Sequence, residues 1–419
     1  MRILALALLL VFPQEKAVDS AAVYAVLDGF SADGDTAKAK VALDKLGLSP
    51  AKLAELIRAG RPLEKAKTGL QTWKIKDAWD VETDCYVKVP EKYDKSKPAG
   101  VLILLHGLGG DGKQFRDNLY TQFAVENNFI IVCPTAQKPA EGSKAEDDPG
   151  DLANLPHWWV YKPGSSVFRA LAEVRRKYAV DDSRIVLSGY SMGGFGTWNI
   201  GLRYPDCFAA LVPFAGGISR GEYLTKSDKK LRPIVENGKN VPVYFIHGDK
   251  DDTVPVTFDR KTRDQLKEFG ADFTYVEVPK AKHMMDVREG GELMKPIQAW
   301  LKEKKRDDHP RKLTYVAAGD YATGCWWVRL GGKIEPLARF SAEVKGANVI
   351  EVTATGAESM TLFLDESLVD MTQPIAIKSG DELLFKGKVQ ESIEAILESW
   401  KGREDRGLVY RAKVTVKLN

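Results

Sequence analysis

The chain has 419 residues, 44% of them hydrophobic and 28% charged, which favours two domains and is typical of a soluble globular protein. Its 61 basic and 58 acidic residues leave a net charge of +3, so bulk charge favours neither nucleic acid nor an anionic membrane as a partner. Met1-Arg2 and the apolar run from Ile3 to Phe12 fit the core of a signal peptide and are too short to span a bilayer. We therefore expect residues 1–20 to be a signal peptide and the protein to be secreted or periplasmic, without membrane insertion; a buried N-terminal helix or strand is the alternative.

A small helical segment is predicted next, over residues 21–70. Asp35 to Leu46 reads as one helix, and Ser49-Pro50 provides an N-cap and a first-turn proline for a second helix over Ala51 to Ala59. We expect a helical hairpin packed on the main domain, although it could instead shape the entrance of a site.

Strands and helices then alternate over residues 71–303. Continuous apolar runs such as Val101 to Leu105 and Phe129 to Cys133 are typical of strands that are buried on both faces. Further helices are predicted over Lys113 to Asn127 and Glu289 to Lys302. This alternation predicts an α/β fold with a doubly wound, mostly parallel sheet.

Residues 304–311 are charged and contain a proline, and they predict a solvated linker. Beyond it, short strand-like pieces separated by Gly, Asn and Asp indicate a β-rich, sandwich-like domain over residues 312–419. Only Ser392 to Trp400 looks helical there. Trp326-Trp327 in this region could contact carbohydrate, but on an alternating strand at least one indole should face inward, so packing is favoured.

The four cysteines are Cys85, Cys133, Cys207 and Cys325, and their spacing matches no metal motif. In an oxidising compartment they could form two disulfides with three possible pairings. Cys133, however, lies in an apolar strand run, where a buried free thiol is the favoured interpretation.

The stretch from Ser183 to Gly194 carries the clearest chemical signal. An apolar run ends in Gly189-Tyr190-Ser191-Met192-Gly193, and a helix-compatible segment follows directly. A serine held between glycines on a sharp strand-to-helix turn is the sequence form of a nucleophile elbow. A serine needs a base to accept its proton and a carboxylate to orient that base.

Histidines are few enough to be weighed one by one. In sheet hydrolases the acid and then the histidine follow the nucleophile along the chain. Four of the five histidines are badly placed, because they precede Ser191, lie in the charged segment or end a buried strand: His106, His157, His309 and His247. His283, in a loop before the last helix of the alternating series, is therefore the candidate base. The acid should come from the loop after His247, where Asp249, Asp251 and Asp252 compete.

Two backbone N–H groups should stabilise the developing oxyanion. Met192, directly after the nucleophile, is one candidate donor. The other should come from the turn His106-Gly107-Leu108-Gly109-Gly110 at the end of a buried strand, unless this is a plain turn.

Three separated motifs make a family resemblance clear: Leu105-His106-Gly107, Gly189-Tyr190-Ser191-Met192-Gly193-Gly194 and His247-Gly248-x-x-Asp251-x-x-Val254-Pro255. The chain resembles the α/β-hydrolase superfamily, and within it the secreted feruloyl esterase, polyhydroxybutyrate depolymerase and "predicted peptidase" branch. The resemblance covers about Val81 to Lys302. It implies that Asp251 is the triad acid and that Leu108 supplies the second oxyanion N–H. Asp252 is our second choice for the acid.

The predicted activity is that of a serine carboxylesterase that works through an acyl-enzyme and needs no metal or other cofactor. Its substrates would be small-molecule or polysaccharide-linked esters, such as feruloyl or acetyl esters of plant polysaccharide or small aryl esters. A serine peptidase of the prolyl-oligopeptidase type is the alternative, and a non-catalytic binding protein on a hydrolase scaffold is a third.

A long polar loop over Thr135 to Gly164 leaves the sheet at the edge where the site is expected, and such loops usually shape pockets. It contains Trp158 and Trp159, whose indoles could flank an aromatic acyl group or a sugar. Alternatively, one or both pin the loop to the core. Phe195 and Trp198, after the nucleophile, are expected in the core.

Overall fold

The computed structural model describes residues 19–77, 79–138, 155–158, 165–218, 232–288, 290–319, 321–346 and 348–418. Most of the predicted signal peptide lies outside these residues. Within them, no helix combines the length and the apolar character needed to cross a bilayer.

The described residues form ten α-helices and fifteen strands. The helices are α1 (Ser20–Asp33), α2 (Thr36–Asp44), α3 (Pro50–Ala59), α4 (Gly112–Asn118), α5 (Thr121–Glu126), α6 (Ser166–Lys177), α7 (Met192–Arg203), α8 (Thr257–Phe269), α9 (Met294–Lys302) and α10 (Ile393–Trp400). The strands are β1 (Gly69–Lys76), β2 (Glu82–Val89), β3 (Ala99–Leu105), β4 (Phe129–Pro134), β5 (Val180–Tyr190), β6 (Ala210–Phe214), β7 (Val243–Gly248), β8 (Phe273–Val278), β9 (Lys312–Val316), β10 (Gly324–Cys325), β11 (Val328–Lys345), β12 (Val349–Leu364), β13 (Ile375–Ser379), β14 (Glu382–Gly387) and β15 (Ala412–Lys417).

The larger sheet has eight strands in the order β1-β2-β4-β3-β5-β6-β7-β8. The pairs from β4 to β8 are parallel, and β2 is antiparallel to both β1 and β4. All six parallel strands therefore end at one edge. This confirms the doubly wound, mostly parallel sheet, and the loops that carry candidate chemistry leave from that edge.

Each face of this sheet has its own core, because successive side chains of a strand point to opposite sides. Val101, Ile103 and Leu105 pack on the face covered by α6, α7 and α8. Leu102 and Leu104 pack on the other face, with α5 and α9. The central strands thus need apolar residues at every position, which is why the sequence shows unbroken apolar runs there.

The helix predicted over Lys113 to Asn127 is wrong as one element, because it splits into α4 and α5. Tyr120, between them, has φ 59°, a backbone conformation that a helix interior does not adopt. Its side chain is fully buried, with the hydroxyl 3.3 Å from Ser188 Oγ. The last helix of the series begins at Met294 rather than Glu289.

The C-terminal region is β-rich, as predicted, but two long strands, β11 and β12, take the place of four of the short strands that the sequence predicts. β11 and β12 pair along most of their length, with register shifts between Gly331 and Arg339. The two ends of β11 pair with different strands, β10 and β9, and those of β12 with β13 and β15. Trp326 and Trp327 are both buried in the core of this region, so neither offers an indole face to a sugar.

The N-terminal segment forms three helices instead of the predicted hairpin of two, and it meets the main domain where Asp28 of α1 pairs with Arg176 of α6 at 3.5 Å. Three helices, α1 to α3, share a core with α10 near the other end of the chain. Leu27, Leu43 and Ile57 pack there against Ile396 and other residues of α10. The apolar side chains of the three helices are thus buried partly against one another and partly against α10, which comes from the opposite end of the sequence.

The segment 304–311 is not a solvated linker throughout. The Arg306 side chain is only 1% exposed and forms an ion pair with Asp405 at 2.7 Å. It also donates a hydrogen bond to the carbonyl of Asp206. Arg306 thus forms a buried polar junction between the two halves of the chain, since its charge is matched by Asp405 and Asp308.

The four cysteines are buried free thiols, which confirms the interpretation of Cys133. Cys85 and Cys133 lie on adjacent strands, but Cys85 belongs to the core on one face of the sheet and Cys133 to the core on the other. Burial raises the pKa of the Cys207 thiol to about 12.

Candidate active site

Ser191 lies at the turn between β5 and α7, where the predicted elbow is found. Its φ of 57° and ψ of −116° are unusual for a residue with a side chain. A Cβ at Gly193 would overlap the carbonyl of Leu105, and one at Gly189 would overlap the carbonyl of Gly193. The Ser191 N–H donates to the carbonyl of Phe214 at 2.9 Å and ties the turn to β6. The glycines are therefore required by close backbone approach.

Three predicted site residues from separate parts of the chain meet at this turn. His283 Nε2 lies 2.9 Å from Ser191 Oγ, and His283 Nδ1 lies 2.7 Å from Asp251 Oδ2. Asp251 Oδ1 accepts hydrogen bonds from the N–H groups of Thr253 at 2.9 Å and Val254 at 2.7 Å. Since a carboxylate only accepts, His283 must carry its proton on Nδ1, which leaves Nε2 free to accept the proton of the serine.

Among the competing aspartates, Asp251 and not Asp252 reaches His283. The Asp251 side chain is 0% exposed, whereas that of Asp252 is 61% exposed and pairs with Lys282 at 3.5 Å. The loop turns the two neighbouring carboxylates in opposite directions, one toward the histidine and one toward solvent.

Tyr190 has a part in the site that the sequence did not reveal. Its hydroxyl donates to the carbonyl of His283 and accepts from the N–H of Met285 at 2.8 Å. Burial raises the pKa of this phenol to about 12, so it keeps its proton at neutral pH. Tyr190 thereby fastens the loop that carries His283 to the strand that carries Ser191. Nothing in the spacing of these residues pointed to this contact.

The two predicted oxyanion donors flank Ser191. Met192 is the first residue of α7, whose opening N–H groups have no acceptor within the helix. Leu108 lines the cavity beside Ser191. The turn before Leu108 is held by His106, whose Nδ1 donates to the carbonyl of Gly107 at 2.8 Å while Nε2 accepts from the N–H of Ala136 at 3.0 Å. These bonds require a neutral ring, and burial lowers the pKa of His106 accordingly.

Trp158 is placed behind this turn rather than in the cavity. It is 3% exposed, and its Nε1 donates to the carbonyl of His106 at 2.8 Å. The two rings meet edge to face at 5.1 Å. Trp158 therefore pins the loop to the core, which corrects its assignment as a substrate-binding residue. Trp159 lies outside the described residues. Phe195 and Trp198 are buried, as expected.

A cavity of about 660 Å³ opens at Ser191 and His283. One wall comes from Phe115 on α4 and Leu119 after it, and the other from residues 284–288. Sequence reasoning missed both walls, because neither carries a chemical motif. The lining is mostly apolar: Leu108, Phe115, Leu119, Met284, Met285 and Val287. Cavities of this size accommodate drug-sized organic molecules.

Within the described part of the chain, no three histidine, cysteine or carboxylate side chains are grouped as metal ligands. The hydroxyl, imidazole and carboxylate that meet at Ser191 have the arrangement that acyl transfer needs.

Comparison with known proteins agrees with this chemistry. Residues 162–301 match the model of a phospholipase and carboxylesterase family. An uncharacterized secreted protein of Arthroderma benhamiae is 32% identical over 214 residues, which are 45% of this chain and 22% of the relative. Lysophospholipase-like protein 1 of Mus musculus is 24% identical over 218 residues, 48% of this chain and 84% of the relative. Feruloyl esterase B of Thermothelomyces thermophilus is 27% identical over 135 residues, 31% of this chain and 43% of the relative.

The chain thus spans less than half the length of two of these three relatives. The matches to these relatives cover less than half of this chain, and the family model matches residues that belong to the eight-stranded sheet and its loops.

Proposed function

We propose that this chain, which has the α/β-hydrolase fold, is a serine carboxylesterase. The observation that carries the proposal is the run of contacts from Ser191 through His283 to Asp251, at the mouth of an apolar cavity. Relatives named as a feruloyl esterase and as a lysophospholipase-like protein support ester bonds as the target.

In the proposed reaction, Ser191 Oγ attacks the ester carbonyl carbon while its proton passes to His283 Nε2. Asp251 holds the imidazole and stabilises its positive charge, and the N–H groups of Met192 and Leu108 bind the oxyanion. The tetrahedral intermediate breaks the bond to the alcohol oxygen, which takes the proton from His283. Water then attacks the acyl-enzyme, gives a proton to His283 and releases the acid, and the proton returns to Ser191.

The cavity supports esters with an apolar chain or aryl ring, including feruloyl esters. Leu119, Met285 and Val287 supply apolar surface that an acetyl group alone would leave largely unfilled. Burial of further apolar surface contributes about 25 cal/mol per Å². We therefore expect a higher kcat/KM for methyl ferulate and p-nitrophenyl butyrate than for p-nitrophenyl acetate.

The test is a panel of these three esters, acetylated xylan and a peptide with a proline cleavage site, run in parallel with fluorophosphonate labelling. Hydrolysis of the esters with no cleavage of the peptide supports the esterase. Cleavage of the peptide alone favours the peptidase alternative. Labelling that is absent would favour the non-catalytic alternative, and labelling that is equal in Ser191→Ala would end the claim that Ser191 is the nucleophile.

Phe115→Ala probes the wall of the cavity. We expect KM for methyl ferulate to rise about tenfold and that for p-nitrophenyl acetate to change less than twofold, because only the larger group reaches this wall. Lys113→Ala is the matched control, since this exposed residue of the same helix lies outside the cavity lining. Equal effects of Phe115→Ala on both esters would place the substrate elsewhere.

Export and carbohydrate contact are the remaining proposals. A secreted relative and the basic, apolar start of the chain support export, which fractionation of the native host tests. Contact between residues 312–419 and polysaccharide would have to use side chains other than Trp326 and Trp327, which are buried. Sedimentation of the full-length Ser191→Ala protein with insoluble xylan measures this contact.

A further inference from the structure

A second buried histidine lies directly behind Asp251. His247 is the penultimate residue of β7 and is fully buried. Its Nε2 lies 2.9 Å from the carbonyl oxygen of Val254 and 3.3 Å from Asp251 Oδ2. Its Nδ1 lies 2.8 Å from Asp259 Oδ2. Both ring nitrogens of His247 therefore face oxygen atoms.

The contacts of His247 Nε2 show that this nitrogen is a hydrogen-bond donor. A carbonyl oxygen and an ionised carboxylate can only accept, so Nε2 must carry a proton and donate. This holds whether the proton shared with Asp259 lies on Nδ1 or on the carboxylate. His247 thus donates to the carbonyl of Val254 in either arrangement, and the same nitrogen lies 3.3 Å from Asp251 Oδ2.

Asp259 in turn accepts a hydrogen bond from a residue of α7. It lies on α8, is fully buried, and its Oδ1 accepts a hydrogen bond from Trp198 Nε1 at 3.1 Å. The side chains of Trp198, Asp259 and His247 therefore form a continuous buried chain of hydrogen bonds that ends at the carbonyl of Val254, and Asp251 Oδ2 lies 3.3 Å from the last nitrogen.

We propose that His247, oriented by Asp259, is a positioning residue that fixes the Asp251 carboxylate against His283. His247 shares Asp251 Oδ2 with His283 Nδ1. It also holds the carbonyl of Val254, whose own N–H donates to Asp251 Oδ1 at 2.7 Å. Val254 thereby links the imidazole of His247 to the carboxylate of Asp251 and ties the loop that carries this carboxylate to β7.

This inference rests on the proposed triad and makes a separate claim about rate. If the carboxylate loses its fixed position, His283 loses its alignment, and a displacement of about 1 Å can cost roughly 10²-fold in rate. Substrate binding should be unaffected, because His247 is not part of the cavity lining.

The experiment compares His247→Leu, which removes the donor, with His247→Gln, whose amide N–H can reach the same acceptors. We expect His247→Leu to lower kcat about 10–100-fold with KM within about twofold, and His247→Gln to recover kcat to within about threefold of the parent. The rate of fluorophosphonate labelling at Ser191 should fall and recover in parallel.

Ile246→Val is the matched control, because this neighbour on β7 points into the core on the opposite face of the sheet. It should lower the melting temperature slightly and leave kcat unchanged. If His247→Leu does not fold, Asp259→Asn tests the same chain of hydrogen bonds with a side chain of equal shape, and we expect a three- to tenfold lower kcat at unchanged KM.

The proposal would be overturned if His247→Leu folds and keeps kcat within twofold of the parent. A second contrary result is a His247→Gln protein as impaired as His247→Leu. If His247→Leu does not fold, an unchanged kcat in Asp259→Asn is the third. The second result would mean that the imidazole acts through packing. Failure of the proposed function itself looks different, since Ser191→Ala would then label as well as the parent protein.

Discussion

Asp251→Asn is the most informative single change, because the structure dictates how the new amide must sit. Four nitrogen atoms lie around the carboxylate, and three of them donate hydrogen bonds to it. Oδ1 accepts from the N–H groups of Thr253 and Val254 at 2.9 and 2.7 Å, while Oδ2 lies 2.7 Å from His283 Nδ1 and 3.3 Å from His247 Nε2. An asparagine has one oxygen and one NH₂ group, so it can satisfy only one of these two pairs.

If the asparagine oxygen stays with the two backbone N–H groups, its NH₂ group faces His283 Nδ1. That nitrogen must then accept, the proton moves to Nε2, and the imidazole can no longer take the proton of Ser191. Loss of the correct tautomer costs about 10⁴-fold in kcat, or about 5 kcal/mol of transition-state stabilisation. The opposite orientation would spare kcat but leave two backbone donors unpaired, at about 1–3 kcal/mol of folding stability for each.

We expect the first outcome, since it keeps both backbone hydrogen bonds. The assay is steady-state hydrolysis of p-nitrophenyl butyrate together with urea denaturation of the same preparations. Asp252→Asn is the control, because this carboxylate is 61% exposed, and its kcat should stay within twofold of the parent. An Asp251→Asn protein with kcat within tenfold and unchanged stability would refute the assignment of Asp251, and a large loss in Asp252→Asn would transfer the role to its neighbour.

Three further changes test other parts of the structure. Burial lowers the pKa of His157 to about 4, below its value of about 6.5 in the unfolded chain. Between these pH values the unfolded state binds more protons, so the free energy of unfolding should fall by roughly 2–3 kcal/mol as the pH drops from 7 to 4. Urea denaturation should show a smaller fall for His157→Gln. Arg306→Met leaves the buried Asp405 carboxylate without this partner and should cost about 3–5 kcal/mol in urea denaturation, whereas Lys305→Met, at an exposed neighbour, should stay within about 0.5 kcal/mol. Tyr190→Phe removes the hydroxyl that holds the loop of the proposed base His283, and it should lower kcat about tenfold at unchanged KM. An unchanged kcat would show that the loop keeps its position without this hydroxyl.

The fold of the central region could be predicted because its signals are local. Continuous apolar runs in β3, β4 and β5 mark strands buried on both faces, and glycines mark the elbow at Ser191, where backbones approach too closely for a side chain. The break at Tyr120 could not be predicted, since only the buried position of its side chain between α4 and α5 requires it.

The ends of the chain were less predictable, because their partners are distant in sequence. The sequence of α3 predicts an amphipathic helix with Ile57 on its apolar face, but it does not indicate that α10 covers this face. Charged residues 304–311 suggested solvent exposure, yet Arg306 is buried because Asp405 lies opposite it. Periodicity shows that a face must be covered, and only the tertiary structure shows by what.

The candidate site divides in the same way. From the sequence alone came the elbow at Ser191, the choice of His283 by chain order and the loop of three aspartates, because these depend on short motifs and on the direction of a parallel sheet. Tertiary structure decided which carboxylate turns inward, that Trp158 supports the His106 turn, and that His247 stands behind Asp251. These contacts join residues that no local pattern relates, since a side chain's partner is set by the packing of whole elements rather than by its neighbours in the chain.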